Sequence, residues 1–245
     1  MKRFALALLL LLPALDVRAA GMAIRWNSCL GAANRNFACD RSTGSELLVG
    51  SFSAPAAVNL SGVEAYIRIT AGDNEPSNWW QMFSTGSCRQ SSLSTAFDVS
   101  GETECDDPWL GQAAGGIGLY SLAPPQNWPG PSQGTRGYYL KMAIAVPPLA
   151  IQTVSPGRTY AAFRLMINHA RSHGAAACDG CSQPVCITLE HMRLTNPEKR
   201  PVDLTSGIPG MGGAANIVTW QGGTPTCGAG APKPSTWSEI KRRYK

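Results

Sequence analysis

The stretch that decides the fold covers residues 158–195 and reads RTYAAFRLMINHARSHGAAACDGCSQPVCITLEHMRLT. Apolar side chains alternate with polar or small ones over residues 160–168 and again over residues 185–193. Because successive side chains of a strand point to opposite faces of a sheet, each run is predicted to be a half-buried β-strand. The Gly- and Ser-containing segment between the runs predicts that these two strands form an antiparallel pair with a long tip.

The connection between the two strands carries two histidines and two cysteines, and connections of this length are usually functional or held in place. Disulfides that hold the connection down are our main interpretation. The alternative is a metal site, because a Cys-x2-Cys spacing with nearby histidines suits tetrahedral zinc, although oxidised cysteines cannot act as thiolate ligands. Its ligands would be His169, His173, Cys178 and Cys181. A redox-active pair at Cys178 and Cys181 is a third interpretation, and it lacks the strand-then-helix setting typical of such pairs.

The first residues of the chain predict a secretory signal peptide over residues 1–19. Lys2 and Arg3 precede an unbroken apolar run over residues 4–12, and Val17-Arg18-Ala19 offers small residues at a cleavage site. The apolar run is shorter than the roughly 20 residues that a membrane span needs, so cleavage is favoured over anchoring. No later stretch is long and apolar enough to cross a bilayer. We therefore expect a mature chain that is secreted, periplasmic or attached to the cell surface, without a transmembrane segment.

Cysteine usage fits that compartment, because an even number of cysteines in an exported chain predicts a disulfide framework. All eight lie in the predicted mature chain, at Cys29, Cys39, Cys88, Cys105, Cys178, Cys181, Cys186 and Cys227. Sequence does not fix their connectivity. Closure of the shortest loops favours the pairs Cys29 with Cys39 and Cys88 with Cys105, which leaves the last four to pair among themselves.

The mature chain has many short strand patterns separated by Gly- and Pro-rich turns, and no convincing long helix. This pattern predicts an all-β fold, a disulfide-stapled β-sandwich of jelly-roll-like type over residues 20–221. The predicted strands cover residues 24–26, 47–52, 63–70, 79–83, 93–99, 115–122, 137–146, 160–168, 185–193 and 217–220.

Three tryptophans are candidate ligand-binding residues. Trp79 and Trp80 are adjacent in a predicted strand, so their side chains would point to opposite faces, and either one is exposed or both faces are covered. Trp128 lies in a proline-rich loop over residues 124–134 that could present it rigidly. An exposed indole can stack on a sugar or an aromatic ligand. The alternative is that one of Trp79 and Trp80 fills the core while the other packs under the loop over residues 73–78, and that Trp128 is a lid over the sheet edge.

The end of the chain differs in composition from the rest, because a linker-like segment is followed by a basic one. Residues 222–234 have the composition of a linker, and residues 235–245 predict a short basic helix with a capping box at Thr236 and Glu239. One face of that helix is apolar, with Trp237, Ile240 and Tyr244. So short a helix needs a surface to dock on, which could be the sandwich itself or a partner.

Net charge excludes one class of partner. The tail contributes about +4 and the signal peptide about +2 to the formal charge of +5, which leaves the body of the chain near −1. Only 15% of all residues are charged. A near-neutral body with few charges argues against a nucleic-acid-binding surface.

Both ends of the mature chain resemble those of other exported proteins. The opening RWNSCLGAANRNFACD, residues 25–40, is similar to the start of uncharacterised secreted bacterial proteins with the same cysteine spacing. The ending STWSEIKRRYK resembles a Thr-Trp-x-x-Ile-Lys-x-x-Tyr-Arg/Lys ending found on exported bacterial proteins of unknown role. The resemblance covers the two ends clearly and the middle only loosely. It implies export, and no activity is carried over from it.

Specific catalytic and cofactor-binding motifs are absent: the sequence has no Gly-x-Ser-x-Gly elbow, no phosphate-binding loop and no His-Glu-x-x-His. We predict no cofactor and favour a non-enzymatic module that binds a glycan or another envelope or extracellular component. One alternative is an extracellular hydrolase or metal-dependent enzyme that uses His169 and His173. Another is an assembly or attachment protein that docks through its C-terminal helix.

Overall fold

The computed structural model describes residues 20–72, 75–130, 136–211 and 215–222, and within these ranges the chain is all-β. The predicted signal peptide, the C-terminal helix and nearly all of the predicted linker lie outside the described residues. Within the described residues, no helix has the length and apolar character needed to traverse a membrane. The strands are β1 (Gly21–Trp26), β2 (Asn34–Arg35), β3 (Ser45–Ser53), β4 (Val58–Leu60), β5 (Gly62–Thr70), β6 (Leu93–Ala96), β7 (Ala114–Ser121), β8 (Tyr138–Ala145), β9 (Gln152–Val154), β10 (Tyr160–Asn168), β11 (Val185–Thr195), β12 (Val202–Leu204) and β13 (Ile217–Trp220).

Two main sheets face each other across one hydrophobic core, so the fold is a β-sandwich. The first sheet has the order β1-β3-β10-β6, and the second has the order β2-β13-β11-β5-β8-β7, with β12 beside β11. A separate small sheet pairs β4 with β9. The inner faces contribute alternate residues to the core, such as Ile24 and Phe163 from the first sheet and Ile67, Leu140 and Met142 from the second.

The strand predictions are confirmed in most places, and one of them is wrong. Nine of the predicted runs overlap β1, β3, β5, β6, β7, β8, β10, β11 and β13. The run predicted over residues 79–83 instead begins with a single 3-10 turn, Asn78–Trp80. Its backbone is held by the disulfide-linked segments around it rather than by a neighbouring strand.

β10 and β11 do not pair with each other, so the predicted antiparallel pair is wrong. β10 lies between β3 and β6 in the first sheet, and β11 lies between β13 and β5 in the second. The segment joining them, residues 169–184, therefore crosses from one sheet to the other; we call it the tip. Alternation of apolar residues fixes which face of a strand is buried, but it does not say which strand lies beside it.

A β-bulge in β11 changes which residues face the core. Leu189 pairs with Ile67 and His191 pairs with Tyr66, so Glu190 is an extra residue in the ladder. The bulge turns Met192 and Leu194 inward, and both are fully buried. Strict alternation over the predicted strand 185–193 would place Met192 on the same face as Glu190, and the extra residue overturns that expectation.

Three disulfides join distant parts of the chain, and the predicted local pairing is wrong. Cys29 bonds Cys105, Cys39 bonds Cys181, and Cys88 bonds Cys178, with sequence separations of 76, 142 and 90 residues. Cys186 is also disulfide-bonded, and Cys227 lies outside the described residues. Two of these bonds fix the tip to segments that precede it by 142 and 90 residues. Crosslinks over loops this long restrict the unfolded chain strongly, by about 4.5–5 kcal/mol each in the chain-entropy account.

Candidate binding surface

Trp79 and Trp80 form part of a buried aromatic cluster under the tip. Each has 0% of its surface exposed. The two rings lie 5.0 Å apart, and Trp220 lies 4.9 Å from Trp79 and 5.5 Å from Trp80. The Trp79 indole Nε1 donates to Ser172 Oγ in the tip at 2.9 Å. Of the two possibilities that the sequence left open, the structure has both rings covered, so neither offers a face for stacking.

Arg89 fastens this cluster to the backbone around it. The side chain is buried, and it donates hydrogen bonds to the carbonyls of Ala170 at 2.9 Å, Trp79 at 2.8 Å and Asn168. Its guanidinium carbon lies 3.4 Å from the centre of the Trp79 ring, a cation–π contact. Burial lowers the pKa of Arg89 to about 9, because the charged form loses its water. Sequence reasoning missed this residue, and its position next to Cys88 is the one feature that marks it.

The proposed zinc ligands do not form a metal site. Cys178 and Cys181 are oxidised in bonds to Cys88 and Cys39, so they cannot be thiolate ligands. His169 is buried, and its Nε2 lies 2.9 Å from Glu46 Oε1. His173 is exposed, and its backbone N–H donates to Ser42 Oγ at 3.0 Å. No group of three or more potential metal ligands occurs within the ranges that the structure describes.

The same geometry weighs against the hydrolase hypothesis. A residue that acts on an external substrate must reach it, and His169 is enclosed by aromatic rings, with Trp220 at 5.6 Å and Trp79 at 6.4 Å. His169 and His173 also differ in environment, one inside the cluster and one at the surface. They do not form a shared, accessible pair.

Trp128 lies over the outer face of the second sheet, with only 3% of its surface exposed. Its ring packs edge-on against Tyr66 at 5.2 Å and Tyr139 at 5.0 Å. Its Nε1 donates to Glu190 Oε2 at 2.8 Å, and Arg68 Nε donates to Glu190 Oε1 at 2.6 Å. Trp128 therefore covers the outer face of β5, β8 and β11 rather than the sheet edge, where the sequence allowed a lid, and the bulged Glu190 is the acceptor that holds it.

Charged residues elsewhere on this outer face are matched in ion pairs across neighbouring strands. Lys141 Nζ lies 2.8 Å from Glu64 Oε1, and Arg193 Nε donates to Asp203 Oδ1 at 2.8 Å. His191 Nε2 lies 2.9 Å from the same Asp203 oxygen. Burial lowers the pKa of His191, and the hydrogen bond from Arg193 lowers the pKa of Asp203. Such cross-strand pairs stabilise a sheet, and they explain these residues without a ligand.

The edge of the second sheet has a different character. Its outermost strand is β7, which pairs on one side with β8. Residues 108–135, which contain β7, include no Asp, Glu, Lys, Arg or His. An uncharged outer strand presents backbone N–H and C=O groups without the charges that usually discourage pairing with another chain.

Most of the exposed large apolar side chains of the described residues lie beside this edge. Leu110 is 60% exposed shortly before β7, and Leu122 is 42% exposed directly after it. Phe83 is exposed and its ring lies 6.4 Å from that of Tyr120 in β7. Leu149 is fully exposed and lines a surface groove with Leu110. We call β7 with these four residues the β7 rim, and clustered exposed apolar groups of this kind mark interaction surfaces.

Sequence patterns did not indicate the β7 rim, because the rim contains none of the tryptophans, histidines or cysteines that usually indicate a site. The length of the charge-free run over residues 108–135 was visible in the sequence. The place of β7 at a sheet edge was not, since strand order is a tertiary property.

Comparisons with known proteins give no family. No family model matches the chain, and no curated protein matches it. Among solved structures, the chain is similar to the second type II cohesin module from the cellulosomal adaptor ScaA scaffoldin of Acetivibrio cellulolyticus. The identity is 9%, the TM-score is 0.31, and the alignment covers 76% of this chain and 90% of the cohesin module. A TM-score of this size assigns no function.

Proposed function

We propose that this protein is an exported, non-catalytic binding or structural module that engages a polypeptide partner through the β7 rim. The observation that carries the proposal is the coincidence of an uncharged edge strand with exposed leucines at both of its ends, Leu110 and Leu122. Backbone groups of an edge strand can pair with an extended segment, while apolar side chains beside it supply contact area.

The disulfides support the compartment in this proposal. Bonds such as Cys39 with Cys181 form and persist in oxidising surroundings outside the cytoplasm. The predicted signal peptide over residues 1–19 agrees with export. Interleaving of early and late strands, with β10 beside β3 and β11 beside β5, supports our assignment of the sandwich to the jelly-roll type.

A polypeptide partner is better supported than the glycan that the sequence favoured. Trp79, Trp80 and Trp128 have no exposed ring face in the structure, and stacking on a sugar ring needs one. The β7 rim instead offers aliphatic side chains and backbone groups. Its scaffold is held by crosslinks, and a rigid surface loses little conformational entropy on binding.

Site-specific photo-crosslinking in the producing cells tests the proposal. A photoreactive amino acid would replace Leu122 in the rim, with the same replacement at Leu30 as the matched control, because Leu30 is an exposed leucine outside the rim. We expect a discrete protein adduct from position 122 and none from position 30. Equal labelling at both positions, or no protein adduct at position 122, would contradict a binding role for the rim.

A further inference from the structure

We infer that β7 pairs in antiparallel fashion with β7 of a second copy of this chain, which would extend the second sheet across a two-fold axis. The inference rests on the proposed function, and it names the partner of the same surface.

The edge of β7 has backbone groups available for such pairing. A strand with a neighbour on one side leaves the N–H and C=O groups of alternate residues pointing away from the sheet. In the described residues, the backbone of residues 114–121 makes its hydrogen bonds within the ladder to β8 and takes part in no bond outside it. Among the described residues, the outward backbone groups of the strand therefore have no hydrogen-bond partner.

The other outer strands are shorter or covered. β2 has two residues and β6 has four. β1 is bonded on its outer side, since Met22 N–H donates to Ser206 O and Ile24 N–H donates to Ala215 O. Among the strands that the structure describes, β7 combines eight residues with an uncovered edge and no charged or proline residue.

Two glycines of β7 have no close packing neighbour among the described residues. A Cβ on Gly116 would meet nothing within 4 Å, and one on Gly118 would meet only Lys141 O at 3.9 Å. Gly115 differs, because a Cβ there would lie 2.2 Å from Ala143 O in β8. Glycine weakens a strand, and in a strand it often marks a place where another backbone or side chain approaches. The empty space at Gly116 and Gly118 is thus left for something outside the fold.

β7 is self-complementary when all eight of its residues pair with the eight residues of β7 in a second copy. Antiparallel pairing of two copies then sets Gly115 opposite Tyr120 and Gly116 opposite Leu119. Within one copy, Gly115 and Tyr120 pair with Ile144 and Leu140, which are core residues. Gly116 and Leu119 pair with Ala143 and Lys141, which lie on the outer face. Each large residue therefore meets a glycine on its own face of the sheet.

This match depends on the bulge in β7. Residues 115 and 120 are separated by an odd number of positions, so in a regular strand they would point to opposite faces. The ladder to β8 shifts between Ile117 and Leu119, and this extra residue returns both members of each pair to one face. A two-fold axis near residues 117 and 118 is consistent with that geometry.

The exposed leucines complete the surface. In the antiparallel arrangement, Leu122 of one copy lies beside residue 113 of the other and close to its Leu110. Both leucines are exposed in the single chain. The two-fold axis would repeat their contact, so Leu110 and Leu122 of both copies would be covered. Since residues 108–135 carry no charge, two copies bring no like charges together there.

Sedimentation of the secreted full chain tests the inference across roughly 1–300 µM, the range in which a small interface is detected. We expect a concentration-dependent dimer. Gly116→Lys should weaken it by roughly tenfold or more, because the new side chain fills the space opposite Leu119 and places a cation on the edge. Ala143→Lys is the matched control, since Ala143 is exposed on the same face one strand further in. It should leave the dimer unchanged, and thermal melting should show that both variants are folded.

A second pair of variants makes the same comparison with leucines. Leu122→Lys should weaken the dimer, and Leu30→Lys should not. A chain that stays monomeric at every concentration would overturn the self-pairing, as would a dimer that Gly116→Lys leaves intact or that Ala143→Lys weakens equally. If the chain is monomeric and position 122 crosslinks to a different protein, the self-pairing fails and the proposed function stands. A monomeric chain without any adduct at position 122 refutes both.

Discussion

Replacement of Arg89 by Met tests what holds the tip and its aromatic cluster together. The substitution keeps an unbranched, flexible apolar side chain and removes the guanidinium. Three carbonyls, of Asn168, Ala170 and Trp79, then lose a charged donor inside the protein. A buried acceptor left without its partner costs about 1–3 kcal/mol. Only the bond to Trp79 O is buried and the other two are partly buried, so a cost of about 3–9 kcal/mol for the three together is an upper bound.

One effect works in the other direction. Burial lowers the pKa of Arg89 to about 9, because the charged guanidinium loses its water in the folded chain. Met has no charge, so the substitution removes this desolvation cost. We therefore expect the low end of the range, a loss of about 3 kcal/mol in the free energy of unfolding. For a chain of this size the midpoint of thermal unfolding should fall by about 6–12 °C.

Calorimetry or circular dichroism of the purified protein, with its disulfides intact, measures the change. Arg158→Met is the matched control, because Arg158 is exposed and pairs with Asp106 at the surface at 2.5 Å. Exposed pairs contribute little, and this control should lose less than about 1 kcal/mol. If Arg89→Met and Arg158→Met had the same midpoint of thermal unfolding within error, Arg89 would not hold the tip in place. The reasoning from its hydrogen bonds would then be refuted.

The remaining predictions concern the lid, the crosslinks and acid. Glu190→Gln removes the charge from a buried pair with Arg68, so chemical denaturation should show a loss of about 2–4 kcal/mol and Trp128 emission should shift to the red, whereas the exposed control Glu198→Gln should do neither. Replacing Cys88 and Cys178 together by Ser should cost about 2–5 kcal/mol, and an unchanged melting temperature would contradict a role for this bond in holding the tip. Because burial lowers the pKa of His191 from its ordinary value of 6.5, the unfolded chain binds its proton more tightly. Stability should then be full above pH 6.5 and fall below it, and His191→Gln should flatten a stability profile measured from pH 7.5 to 5, before Asp203 titrates.

Local features of the fold were predictable because they depend on the chain's own periodicity. The alternation over residues 160–168 places Phe163, Leu165 and Ile167 inward, and all three are fully buried. The presence of disulfides also followed from the predicted compartment. Neither inference requires knowledge of which segments become neighbours.

Long-range features were not predictable for the corresponding reason. Cys29 bonds Cys105 although Cys39 is much nearer in sequence, because the loops that meet at one end of a sandwich come from distant parts of the chain. The pairing of β10 with β3 rather than β11 has the same origin. The strand predicted over residues 79–83 was wrong because this segment is fixed by a bond from Trp79 N–H to Asp179 O in the tip, which no local pattern shows.

The candidate site was hidden in the sequence by what it lacks. Histidines, charged residues and tryptophans are the residue types that usually indicate a functional site. In this chain several of them form hydrogen bonds within the fold: His169 with Glu46, Arg68 with Glu190, and Trp79 with Ser172. Groups that are bonded within the fold have little left to offer a partner, since binding would first have to break those bonds. Association can lower the free energy of a surface whose polar groups are hydrogen-bonded only to water and whose apolar groups are exposed. β7 meets that condition, because its outward backbone groups and its flanking leucines have no partner among the described residues. Glycine at positions 116 and 118 weakens the strand, and neither position gains a close packing contact among the described residues. Pairing of β7 with another chain would explain why two strand-weakening glycines occur in a sheet that is otherwise well packed.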